Sequence, residues 1–140
     1  MVRRRQHRPT DAELAILRAL WDHGPCTVRE VHDLVSATTA TKDRVGYTTI
    51  LKTMQIMTEK ELVVRDERER AHVYRARDSE QATQRHLVGD LLDRAFDGSA
   101  AKLVLQALAA RPASSREMSE IRKLLDEAEP SDNPTAGDEP

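Results

Sequence analysis

The sequence predicts a mainly α protein with one small β-hairpin, arranged as three helices and the hairpin followed by a second, purely helical region. Three observations predict it. Helix formers (Ala, Leu, Glu, Arg) are plentiful across the 140 residues, while aromatics make up 3% and Gly numbers 5, which favours helices around a Leu/Ala/Val core. Ser/Thr-x-x-Glu signatures at Thr10–Glu13, Thr27–Glu30 and Ser114–Glu117 each open a segment with apolar residues at helical spacing. One stretch, Leu62 to Arg75, sets two β-prone runs on either side of a charged turn.

Residues 1–8 form a basic arm in which Arg3, Arg4, Arg5 and Arg8 suit either a phosphate backbone or plain solvent. Thr10 and Glu13 cap the first helix, whose stripe is Leu14, Leu17, Leu20 and Trp21; Gly24-Pro25 stops it. Thr27 and Glu30 cap the second, with Val28, Val31, Leu34 and Val35 facing inward. A polar connector then leads to a third helix from Tyr47 to Lys60, free of Gly and Pro, with Gly46 at its start. At 100° per residue Ile50, Thr53, Met54 and Met57 share its core side, and Thr48, Lys52 and Gln55 lie opposite. Short hydroxyls, an amide and one cation suit a groove, since they bond base edges and phosphates without blocking entry. An ordinary amphipathic surface helix has the same pattern.

In the hairpin, Leu62-Val63-Val64 and Ala71 to Arg75 flank the turn Arg65 to Arg70. Arg65, Arg68, Arg70, Arg75 and Arg77 line it, partly offset by Glu67 and Glu69, so it reads as a phosphate contact and not a base reader. Three helices and a hairpin in this order make a winged helix-turn-helix domain over residues 9–77.

Residues 78–129 carry three more amphipathic helices. Leu87, Val88, Leu91, Leu92, Ala95 and Phe96 line the first; Asp97-Gly98-Ser99 breaks it. Leu103, Val104, Leu105 and Leu108 line the second, and Met118, Ile121, Leu124 and Leu125 the third. So short a region buries too little surface alone. A second copy or the N-terminal domain of the same chain would cover the stripe; a palindromic DNA site, which calls for a two-fold protein, favours a homodimer. The expected dimerisation residues are Leu87, Leu91, Leu92, Phe96, Leu103, Val104, Leu108, Met118, Ile121, Leu124 and Leu125. Residues 130–140 read as a disordered acidic tail.

Charge is asymmetric. Residues 1–77 hold 15 Lys and Arg against 11 Asp and Glu, and residues 78–140 hold 7 against 13, within an overall −2. A basic front and acidic back point to a polyanion at the front. No apolar run approaches the ~20 residues of a membrane span, and no apolar segment follows the basic N-terminus, so neither membrane insertion nor a signal peptide is expected and the address is cytoplasmic. One cysteine, Cys26, excludes an internal disulfide and reads as a small buried filler. His7, His23, His32, His72 and His86 show no ligand spacing, so no metal is expected. No nucleophile elbow, phosphate loop or paired-carboxylate motif appears, so neither an enzyme nor a cofactor site is expected.

The segments PTDAELAILRALWDHGPCTVREVHDLV, VGYTTILKTMQIMTEKELV, RAHVYRAR and LLDRAFDGSAAKLVLQAL, together spanning about residues 9–126, resemble the penicillinase-repressor family of bacterial winged-helix transcriptional regulators. The resemblance implies a homodimeric repressor on an inverted-repeat double-stranded DNA operator, often of a β-lactamase or resistance operon. The helix positions that meet DNA in the family correspond to Thr48, Thr49, Leu51 and Lys52, with Tyr47 at the same helix start. In the antibiotic-sensing branch a membrane-bound sensor metallopeptidase signals for cleavage of the repressor. The matching bond is Gln106–Ala107, a departure from the Asn–Phe bond of those members. The copper-responsive branch carries paired C-terminal cysteines that this tail lacks. Glu61 stands where the family's helix exit carries Gly; a left-handed residue other than Gly costs about 1 kcal/mol, so a differently built turn is expected there. The competing reading is a winged helix that binds a protein partner without specific DNA binding, supported by the modest basic excess and by Glu59, Glu61, Glu67 and Glu69.

Overall fold

The computed structural model describes residues 8–38 and 45–128. Arg3, Arg4, Arg5, the connector 39–44 and the acidic tail 130–140 lie outside the described residues. The elements run α1 (Asp11–His23), β1 (Cys26–Thr27), α2 (Val28–Thr38), α3 (Tyr47–Glu59), β2 (Val63–Asp66), β3 (Val73–Ala76), α4 (Glu80–Ala95), α5 (Ala100–Ala110) and α6 (Ser115–Ala128).

All three capping boxes form. The Glu13 and Glu30 carboxylates accept from the Thr10 and Thr27 backbone N–H at 2.9 and 2.8 Å, and each threonine hydroxyl accepts from the glutamate's N–H at 3.2 Å. Ser114 and Glu117 repeat the exchange at 3.1 Å in both directions. Gly24 ends α1 at φ +85°, a conformation that favours Gly.

The core joins α1, α2, α3 and the sheet through Ile16, Leu17, Leu20, Val28, Val31, Val35, Ile50, Met54, Met57, Val63 and Tyr74, with Cys26 among them. Each such apolar side chain contributes about 1.5–3 kcal/mol when fully buried. The expected α1 stripe needs a correction: Ile16 is buried, whereas Leu14 and Trp21 only pack against the core's edge. On α3 the inward set is as expected for Ile50, Met54 and Met57; Thr53 is half-buried and its hydroxyl donates to the Thr49 carbonyl at 2.8 Å.

The hairpin is part of a three-stranded antiparallel sheet in the order β1-β3-β2. The two-residue β1 was not foreseen. It pairs Cys26 with Tyr74 and Thr27 with Val73. Arg65 and Asp66 belong to β2, opposite Tyr74 and Val73, so the turn spans residues 67–72, shifted two residues along the chain from the expected Arg65 to Arg70. This is the arrangement of a winged helix-turn-helix.

The α3 exit corrects a second expectation. Glu61 does take the left-handed conformation, at φ +66°. Leu62 N–H reaches Met57 O at 2.8 Å and Glu61 N–H reaches Thr58 O at 3.1 Å, the paired bonds of a Schellman turn. The turn survives because two backbone bonds and the seating of Leu62 against the core outweigh the local strain. Next to it, Lys60 Nζ lies 2.9 Å from Glu13 Oε2 and 3.2 Å from Oε1. The Glu13 side chain is only 4% exposed, so this pair ties the start of α1 to the end of α3.

The chain divides into two compact units within α4, the first ending at Asp90 and the second starting at Leu91. In the first unit, Trp21 Nε1 donates to the Asp78 carbonyl at 3.0 Å and Arg8 pairs with Asp90 at 3.1 Å. His86 and Leu87 line a cavity of about 190 Å³ with Pro9 and Leu62. In the second unit no described residue is buried; Leu92, Phe96, Leu103, Leu108, Met118 and Ile121 are half-buried. Leu91, Val104, Leu105, Leu124 and Leu125 are exposed. Among the described residues no helix is long and apolar enough to cross a membrane.

Candidate nucleic-acid interface

The outward face of α3 begins at Gly46, an extended N-cap with no side-chain cap bond. Thr48, Thr49, Lys52 and Gln55 are exposed, and the helix carries no carboxylate before Glu59. Tyr47 is exposed but held: the Arg29 guanidinium carbon lies 5.4 Å from its ring centroid and the His32 ring stands edge-on at 6.0 Å. His32 Nε2 donates to the Val45 carbonyl at 3.0 Å, which fixes the chain entering α3. Leu51 differs from its neighbours in being half-buried against the core, on the side that turns toward the hairpin.

The wing's arginines are unequal. Arg65 is held by the Tyr74 hydroxyl and then by Glu67, 2.6 Å away, which together raise its pKa. Arg68 grips Asp66 with Nε at 3.1 Å and Nη2 at 2.7 Å, while its backbone N–H donates to the same carboxylate at 3.0 Å. Those bonds, the side-chain one first, hold the Asp66 carboxyl down to about 2. Arg70 is exposed and has no carboxylate partner among the described residues.

Between the wing and the helices lies a cleft of about 410 Å³ reaching from Thr27 and Arg29 past Tyr47 and Leu51 to Arg70 and His72. Sequence reading missed Arg29 and His72 as members of this surface. A cation in the first turn of the helix preceding the groove-facing helix was an available signal for Arg29, since that helix crosses the backbone in helix-turn-helix proteins. His72 offered none. Cys26 lies just behind the cleft, its thiol pushed up by burial and then by Glu30, and donates to the Gly24 carbonyl at 3.3 Å. It is a buried core residue.

The other expected residues sit in the helical region. Gln106 and Ala107 are both exposed on α5.

The penicillinase repressor family matches residues 9–127 of the chain. The chain belongs to the penicillinase repressor family. It is accordingly a DNA-binding transcriptional regulator. Among solved structures it is similar to that of a MarR family protein from Bacillus stearothermophilus, at 18% identity over 86% of this chain and 73% of that one, with a TM-score of 0.45. No curated protein matches the chain.

Proposed function

We propose that this family member is a homodimeric repressor that reads an inverted-repeat operator with α3 and holds the flanking backbone with the wing. The observation that carries it is the division of α3 into two faces: Ile50, Met54 and Met57 are buried, while Thr48, Thr49, Lys52 and Gln55 stand free on a helix without acid before Glu59. Amide, hydroxyl and ammonium groups in that layout match base-edge donors and acceptors in a major groove. Tyr47 and Leu51 shape the start of that face, and Arg70, with Arg65 and Arg68 where phosphate displaces their carboxylates, steadies the backbone. Residues 78–129 carry the two-fold pairing, supported by the exposed Leu91, Val104, Leu105, Leu124 and Leu125. Operons of antibiotic resistance are the regulated class that family membership favours. Derepression through a membrane-bound sensor metallopeptidase would act at Gln106–Ala107; both residues are exposed, but the bond lies inside α5 and the helix must open locally to be cut.

The test is binding to a short palindrome from the protein's own promoter. Thr48→Ala with Lys52→Ala should weaken operator binding about tenfold or more, as the loss of a base-reading pair costs about 1–3 kcal/mol. A double variant that shifts the probe as well as the wild type would refute the groove assignment. The competing reading, a winged helix gripping a protein, draws on the self-paired Arg65 and Arg68. It gains if the wild-type chain shows no salt-dependent DNA binding.

A further inference from the structure

Resting on the DNA-binding reading, we infer that the cleft between α2, α3 and the wing seats one backbone phosphate of the duplex, gripped from two sides by Arg29 and Arg70. The cleft's lining contains both arginines and His72 and no Asp or Glu. Two like charges facing one cavity repel each other unless an anion enters between them. Neither guanidinium has a carboxylate partner among the described residues, in contrast to Arg65 and Arg68. The ring of Tyr47 under Arg29 holds that guanidinium without neutralising it, so its N–H groups stay available to an anion. The two sides are fixed relative to each other by the ladder between Thr27 and Val73: Arg29 follows Thr27 by two residues, Arg70 precedes Val73 by three and His72 by one. A phosphodiester oxygen pair meets such a two-sided set of donors with charge-assisted bonds. Because the phosphate is common to every duplex, the clamp supplies affinity and register and no sequence preference.

The experiment is anisotropy of labelled operator and unrelated duplexes, titrated with the full chain over a range of salt. The double variant Arg29→Ala with Arg70→Ala should lower the slope of log K against log salt by about 0.9, the value of one phosphate, and weaken both duplexes by the same factor. Arg29→Gln, which keeps the side chain's length and removes only its charge, should move the slope in the same direction with the thermal midpoint unchanged. An unchanged slope, a fall near twice that size, or weakening of the operator alone overturns the clamp while leaving the assignment of α3 intact. If the wild-type chain binds neither duplex, the DNA-binding reading itself fails, and the clamp with it.

Discussion

Glu61 shows what one residue in the left-handed region costs. It closes the Schellman turn at φ +66°, where Gly would carry no Cβ strain. Glu61→Gly should therefore stabilise the protein by about 1 kcal/mol, since the ion pair it gives up, with Arg77 at 3.3 Å, is exposed and contributes little. Urea unfolding measures this, and a lower midpoint would show that the side chain matters more than the strain. Asp66 gives the pH counterpart. Its carboxyl titrates near 2 and not near 3.8, because of Arg68. A depressed carboxyl supports the folded state at pH above about 4, and its contribution disappears as pH falls through 2. Following the Asp66 carboxyl by NMR should place its midpoint near 2 in the wild type and close to the ordinary carboxylate value in Arg68→Ala; the same midpoint in both would mean that the fork seen on the wing does not persist in solution.

Between elements, the pair Glu13–Lys60 is the decisive contact. The lysine side chain is 28% exposed and the glutamate 4%, so Lys60→Met leaves a carboxylate shut away from water. That should cost about 3 kcal/mol. Adding Glu13→Gln should recover most of the loss, because the amide still accepts from Thr10 N–H while carrying no charge. Thermal unfolding of the single and double variants decides it: a Lys60→Met protein as stable as wild type would remove the pair from any structural role. This contact also marks where sequence reading stops. The bond from Glu13 to Thr10 spans three residues and was legible as a Thr-x-x-Glu signature; the bond from Glu13 to Lys60 spans 47 and has no local signature. The α3 faces were legible because helical periodicity is local, and so was the break at Asp97-Gly98-Ser99 that precedes α5. Strand β1 was not, since Cys26–Thr27 already read as the approach to a cap and two residues carry no alternation. Nor was the partition of the wing arginines, which depends on which carboxylate each one reaches after the hairpin folds.

At the scale of the molecule, the second unit presents leucines that its own helices leave uncovered. Leu105 is 66% and Leu124 62% exposed. In a lone chain, changing such residues to Glu alters stability by roughly half a kcal/mol at most. If they lie in a two-fold interface the same changes split the dimer, because a charge there loses its water. Sedimentation equilibrium at micromolar concentration should find a dimer for wild type and a monomer for Leu105→Glu with Leu124→Glu, the helix content being equal. A wild type that sediments as a monomer, or a variant that stays dimeric, rules this pairing surface out.

The two residues of β1 impose an order on folding. Cys26 and Tyr74 are brought side by side from positions 48 apart in the chain, with α2 and α3 in the intervening loop. Closing so long a loop is entropically expensive until the enclosed helices have condensed and shortened it. The pairing of β1 with β3 therefore follows the condensation of α2 and α3, whereas the local β2–β3 hairpin carries no such cost. During synthesis the cleft lined by Arg29, Arg70 and His72 is complete only once β3 has emerged, with α4, α5 and α6 still to follow.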